Sequence, residues 1–211
     1  MIHPSPDILA GYADGSLSEG MTLLVASHLT FCPACRDSVE RFEALGGAMI
    51  SAEPLKASKP SLDAVLQRLD HSEDAPLPSS LPADAASIMP KPLRNVVGGH
   101  EDDIRWRFLL PGLSEHKIDG FGEEEVSLLR AKPGVRILPH THSGQEATLV
   151  LSGALQDGDV TLTRGDVAVA TEEHNHRPEI TGDDVCICMI VLSGRMQFTG
   201  PIGRALNLFS R

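Results

Sequence analysis

The sequence is short of positive charge: 18 Lys and Arg stand against 29 Asp and Glu in 211 residues, a formal net charge of -11. Phosphate contacts need clustered Lys and Arg, so this deficit argues against direct binding of nucleic acid. It suits solubility, or association with a basic protein such as one that itself binds DNA. Long apolar runs are missing too, since nothing approaches the roughly 18 to 20 residues of a membrane span. The opening Met1-Ile-His-Pro-Ser-Pro-Asp7 has neither a basic stretch nor an apolar core, so no signal peptide is expected there. Cysteine is scarce. The four present form two close pairs, Cys32/Cys35 and Cys186/Cys188. Without a secretory signal, such pairs read as metal or redox chemistry before structural disulfides, and the expected location is the cytoplasm.

With 41% hydrophobic and 22% charged residues, the chain has the balance of a globular protein and room for two small domains. Residues 71–95 hold prolines at 76, 78, 82, 90 and 92. Proline removes a backbone donor and restricts the residue before it, which predicts a semi-extended linker with neither helix nor central strand.

Residues 1–70, before it, read as an all-α domain of four helices. Pro6 suits a helix start, and Asp7 to Asp14 predicts a short helix ended by Gly15. Ser16-Leu-Ser-Glu19 has the form of a capping box opening a second helix through Leu23, Leu24, Ala26 and Leu29. A third follows Pro33, with Val39, Phe42 and Leu45 on one face and Gly46-Gly47 weakening its end. Ser61 caps a fourth, in which Leu62, Val65, Leu66 and Leu69 follow helical spacing. Its apolar stripe fits two roles, completing a bundle or lying in a partner's groove.

Over 96–211 the period changes to two. Glu125–Arg130, Ala147–Leu151, Val160–Thr163, Val167–Ala170 and Val185–Leu192 read as short strands, separated by turn signals at Pro133-Gly134, Gly153, Asp157-Gly158 and Arg164-Gly165. Many short strands with glycine turns predict an all-β sandwich or small barrel.

In the helical half, His28 and Cys32 lie four apart and share a helix face, and Cys-x-x-Cys swings Cys35 back toward the same point. Three borderline or soft donors converge, which suits tetrahedral zinc, and His3 on the N-terminal arm is the natural fourth. A thioredoxin-type redox pair would need a flanking strand–helix unit and would leave His28 unexplained. A DNA-binding finger is disfavoured by nine acidic against five basic residues over 1–70. His-x3-Cys-x2-Cys in an acidic four-helix domain resembles the zinc-binding anti-sigma family over residues 1 to about 70. The resemblance implies a domain that wraps an extracytoplasmic-function sigma factor, blocks its access to core RNA polymerase, and packs the fourth helix on that partner.

In the second half, His140, His142 and Glu146 fall on one face of extended chain and so point together into a barrel interior. His174-Asn-His176-Arg-Pro178 supplies two choices for a fourth ligand. By ligand type, three histidines and a glutamate suit zinc, iron, manganese, nickel or copper. The spacing Gly134-x5-His140-x-His142-x3-Glu146-x6-Gly153 resembles the first motif of the cupins at every position. The cupin pattern favours His176, although Thr163-Arg-Gly165 stands where the family carries Pro-x-Gly. Cys186 and Cys188 share a strand face, and read either as small buried apolar residues or as a redox-sensitive pair beside the metal.

A zinc anti-sigma motif followed by a C-terminal cupin resembles the ChrR group of anti-sigma factors over essentially the whole chain. That resemblance implies zinc in both sites and a 1:1 complex with a sigma factor. It also implies a division of labour, with the helices inhibiting and the cupin required for the response to singlet oxygen or related oxidants. The alternative is a metallocupin enzyme of dioxygenase or isomerase type, which would leave the helical zinc domain without a purpose.

Overall fold

The computed structural model describes residues 1–52, 62–70 and 87–199. Among these residues five α-helices precede eleven strands: α1 (Pro6–Asp14), α2 (Glu19–Leu29), α3 (Pro33–Ala52), α4 (Leu62–Asp70) and α5 (Lys91–Val97) come first. A single 3-10 turn at Glu101–Asp103 leads into β1 (Arg107–Leu110), β2 (Leu113–Ile118) and β3 (Glu124–Ala131). The remaining strands are β4 (His140–His142), β5 (Gln145–Ser152), β6 (Ala154–Asp157), β7 (Val160–Thr163), β8 (Val167–Ala170), β9 (Glu179–Thr181), β10 (Cys186–Ser193) and β11 (Met196–Phe198).

The expected capping box at Ser16 and Glu19 does not form. Ser18 takes the N-cap position of α2 and makes no cap bond with its own side chain. Its hydroxyl instead donates to Glu124 Oε1 at 2.7 Å, while the Gly20 N–H donates to Glu124 Oε2 at 3.0 Å. A carboxylate from β3 thus satisfies one free N–H and faces the positive dipole end of α2. Sequence pattern favoured a local cap; the carboxylate that wins lies more than a hundred residues away. Helix α3 also differs from expectation by running through Gly46-Gly47 to Ala52.

Of the stretch expected as a linker, residues 71–86 lie outside the described residues, as does the proposed cap Ser61. From Ser87 onward that expectation is corrected, because Lys91–Val97 is helical and Met89 and Leu93 are buried. Pro92 sits in the first turn of α5, where a helix needs no N–H, so it opens the helix rather than preventing it.

The strands pair as a six-stranded sheet in the order β1-β2-β3-β10-β5-β8, a three-stranded sheet β7-β6-β9 and a two-stranded ribbon β11-β4. The large sheet is apolar on both faces. Inward, Ala131, Val150, Cys186 and Cys188 meet Leu155, Leu162 and Ile180 of the smaller sheet in one core. Outward, Val126, Leu128, Leu149, Met189 and Val191 meet Met21, Leu23 and Leu24 of α2, with Met89 and Leu93 of the α5 region, in another. A third, smaller core of Leu9, Val25, Cys32, Cys35 and Val39 joins α1, α2 and α3. Helix α2 therefore belongs to two cores at once and fastens the helices to the sheet.

Gly20 sets how close that fastening is. A Cβ there would come within 2.7 Å of Glu124 Oε2, 2.9 Å of Val126 Cγ2 and 3.0 Å of Val191 Cγ1. Any side chain would push α2 off the sheet.

Candidate functional site

The sequence-predicted ligands come together in two groups, His3/His28/Cys32/Cys35 and His140/His142/Glu146/His176. Within each group the donor atoms all lie within 4.8 Å of one another.

In the first, His28 comes from the last turn of α2, Cys32 from the loop after it and Cys35 from the first turn of α3. His28 is fully buried, with both cysteines nearly so. His28 Nε2 lies 3.3 Å from Cys35 Sγ, and His3 Nδ1 lies 3.3 Å from both Cys32 Sγ and Cys35 Sγ. A tetrahedral zinc with bonds near 2.3 Å to sulfur and 2.0–2.1 Å to nitrogen has N–S edges of roughly 3.5 Å, so the donors already stand at the spacing of such a site. Burial lowers the His28 pKa, and its Nδ1 lies 2.7 Å from the Gly165 carbonyl oxygen. The neutral ring then donates from Nδ1 and turns the Nε2 lone pair to the cluster. Burial, with Cys32 alongside, pushes the Cys35 thiol up to about 12. A cation among the four donors is what would make the thiolate stable there.

In the second group, His140 and His142 alternate inward on β4 with Thr141 between them facing out, and Glu146 points inward from β5. His176 faces His140 across a backbone bridge, closed by His140 N–H to His176 O at 3.1 Å and His176 N–H to His140 O at 3.0 Å. His140 Nδ1 is tied to Leu138 O at 2.7 Å and His176 Nδ1 to Asp157 Oδ2 at 2.8 Å, which leaves both Nε2 atoms for the centre. Nε2 of His142 and of His176 and Oε2 of Glu146 are buried with no hydrogen-bond partner. His142 Nε2 nevertheless stands 2.9 Å from Glu146 Oε2. Uncompensated buried lone pairs converging on one point are costly unless a cation receives them, so this donor set fits a divalent metal.

The charges around that point are sorted. Burial lowers the His140 pKa. Burial also disfavours the Glu146 carboxylate, but the adjoining His142 and the other imidazoles outweigh it and hold its pKa below the usual value. For His176, burial is outweighed by the Asp157 carboxylate, which raises its pKa.

Of the two candidates for the fourth position, the structure brings His176 and turns His174 away, with its Nδ1 bonded to the Thr171 hydroxyl and N–H. Asp157, which orients His176, was not singled out in the sequence, where it reads only as half of an Asp-Gly turn. The cluster opens on a cavity of about 1140 Å³ lined by His140, Glu146, His176, Cys186 and Cys188 among largely apolar side chains. The two thiols are buried with their sulfurs 3.5 Å apart.

A His/Cys cluster laced into helices, fastened to a cupin-like sandwich holding a His/Glu cluster, defines a bipartite protein with two clusters that could each hold a metal ion. Residues 95–196 match the family model described as ChrR Cupin-like domain, and residues 7–36 match a zinc-finger family. The anti-sigma-E factor ChrR of Cereibacter sphaeroides is 33% identical over 210 residues, covering 99% of this chain and 97% of that one. The crystal structure of Rhodobacter sphaeroides SigE in complex with the anti-sigma ChrR matches with a TM-score of 0.76 and 31% identity, over 91% of this chain and 98% of that one. The chain belongs to the ChrR family of zinc-binding anti-sigma factors, a regulatory family rather than an enzyme family. No helix among the described residues is long and apolar enough to cross a membrane.

Proposed function

We propose that this protein is a cytoplasmic anti-sigma factor that holds an extracytoplasmic-function sigma factor in an inactive 1:1 complex and releases it on exposure to singlet oxygen or related oxidants. His3, His28, Cys32 and Cys35 hold a zinc ion that fixes the inhibitory helices. His140, His142, Glu146 and His176 hold a second, also zinc, that serves the response. It makes no direct contact with DNA.

The observation that carries this reading is an apolar surface on the helices that is exposed among the described residues. Leu45, Met49 and Ile50 on α3 are 61%, 67% and 64% exposed, and Leu62, Val65 and Leu66 on α4 lie open as well. Among the described residues, the amphipathic α4 keeps Leu62, Val65 and Leu66 of its apolar stripe exposed. A surface of this kind is how helices enter a partner's groove, and the acidic chain suits a basic, DNA-binding partner. The second cluster supports the sensory half, because the adjoining cavity gives a small oxidant access to its donors, while the first lies where α1, α2 and α3 share a core.

The test is co-expression of the full-length chain with its cognate sigma factor, followed by co-purification and metal analysis. The expected result is an equimolar complex with two zinc ions per chain that dissociates under photochemically generated singlet oxygen. In the combined His140→Ala and His142→Ala variant the complex forms but survives the oxidant. A chain that fails to capture the sigma factor, or a variant that still releases it normally, overturns the respective half of the proposal.

A further inference from the structure

The cupin pattern carries Pro-x-Gly where this chain has Thr163-Arg-Gly165, and in the structure that departing turn reaches across to the other metal cluster. The Gly165 carbonyl accepts from Nδ1 of buried His28 at 2.7 Å. The next residue, Asp166, is itself buried. Its Oδ1 accepts the N–H of Ile2 at 2.6 Å, and the Val167 N–H donates to the Ile2 carbonyl at 3.0 Å. Ile2 is thereby held from both sides against the start of edge strand β8, and this fixes where the following residue, His3, enters the cluster. Asp166 Oδ2 is occupied by the N–H and hydroxyl of Thr163, at 2.7 and 2.9 Å, so the carboxylate is locked in one orientation.

The approach is close. Gly165 has a φ of 90°, and a Cβ there would lie 3.1 Å from Phe31 Cβ, in the loop between His28 and Cys32. The Arg164 guanidinium covers the Phe31 ring at 5.2 Å. The turn is in turn fastened to β5 by Gly165 N–H to Val150 O at 2.8 Å and Val150 N–H to Asp166 O at 3.1 Å.

We propose that the Gly165–Asp166 turn of the sandwich is the outer support of the helical metal site, positioning His28 and His3 as ligands, so that metal retention between the helices depends on the sandwich. The proposal rests on the reading of His3, His28, Cys32 and Cys35 as ligands. Groups that orient ligands from outside commonly change metal affinity by roughly 10- to 100-fold when removed. Asp166 and Ile2 act through backbone and through His3, so they are positioning residues and not ligands.

The experiment uses the full-length chain loaded with cobalt(II). Only the first cluster offers thiolates, so thiolate-to-cobalt charge-transfer absorption reports that site alone, and its decay on adding EDTA gives the release rate. Asp166→Ala removes the carboxylate, and Ile2→Pro removes the N–H it accepts while leaving every ligand in place; Ile2→Val keeps that N–H. Leu113→Ala, a core truncation on β2 away from the turn, sets the effect of general destabilisation. Asp166→Ala and Ile2→Pro are expected to release cobalt about 10-fold faster or more, with Ile2→Val and Leu113→Ala close to the native rate. Native release from Ile2→Pro together with either native release from Asp166→Ala or failure of that variant to fold overturns the proposal, as does equal acceleration by Leu113→Ala. A native chain lacking the charge-transfer absorption instead overturns the ligand reading on which it rests.

Discussion

The two clusters are built by opposite means. The His3/His28/Cys32/Cys35 group is assembled from an N-terminal arm, the end of α2 and the start of α3, and a turn of the sandwich holds two of its members from behind. The His140/His142/Glu146/His176 group is made within the sandwich, where paired strands place the side chains by alternation and by one backbone bridge. The first buries His28, Cys32 and Cys35 among packed helices and leaves His3 exposed on the arm; the second, with His140, His142 and Glu146 buried, borders a cavity of about 1140 Å³. Sites that tie elements of structure together act as staples, whereas sites reached by small molecules are suited to respond. On the function proposed above, the first cluster serves architecture and the second the response.

The largest expected effect strikes the first cluster. Cys35→Ala removes a donor from the point where α1, α2 and α3 meet, and the metal is expected to leave with it. Metal content should fall from two ions to one per chain, with a loss of stability on the order of 3 kcal/mol or more, because structural zinc contributes folding free energy directly. Thermal unfolding and metal analysis check this together. An unchanged melting point with both ions retained would break the comparison at its root.

His142→Ala empties the second cluster instead. The sandwich keeps its apolar core of Leu113, Val150, Leu155, Leu162 and Ile180, so the loss should be smaller, about 2 kcal/mol. The charge-transfer absorption of cobalt at the first cluster should persist. Its disappearance would mean that the two sites form one cooperative unit.

Gly20→Val tests the joint between the two regions. The added side chain meets Glu124, Val126 and Val191 closer than packed atoms tolerate, and overpacking of this sort costs about 1–3 kcal/mol. For a chain of this size that is a fall in melting temperature of about 2–4 °C per kcal/mol. Both metals should remain bound. A variant as stable as the native chain would show that α2 does not need its close seat on the sheet.

How much of this was legible follows from distance along the chain. His28, Cys32 and Cys35 lie within one turn and a loop, and His140, His142 and Glu146 within two adjoining strands, so local geometry brings each trio together. The runs Ala147–Leu151 and Val185–Leu192 were read as strands of period two, whereas both are buried along nearly their whole length because each face of the sheet is covered. Nothing local named α2 as that cover, nor Glu124 as its cap, since both contacts join segments about a hundred residues apart. The Gly165 carbonyl is further from reach, because a backbone atom leaves no mark of its own in the sequence. The helix α5 was hidden for a different reason: Pro90 and Pro92 were weighed as breakers, when proline at a first turn is a starter.

The smallest effect on stability comes with the sharpest effect on binding. Met49 is 67% exposed on α3, beside Leu45 and Ile50, and packs into none of the three cores. Met49→Asp should therefore shift stability by less than about 0.5 kcal/mol, as exposed substitutions do. If the uncovered stripe seats in a sigma factor's groove, the same change buries an unpaired carboxylate there, and affinity should fall at least about 10-fold. Titration of the sigma factor with each chain separates the outcomes. Unaltered affinity would move the docking surface off α3, while a destabilised free chain would mean that this stripe already packs within the molecule. Reduced affinity at native stability would divide the protein as its two clusters do, into helices that hold the partner and a sandwich that decides how long.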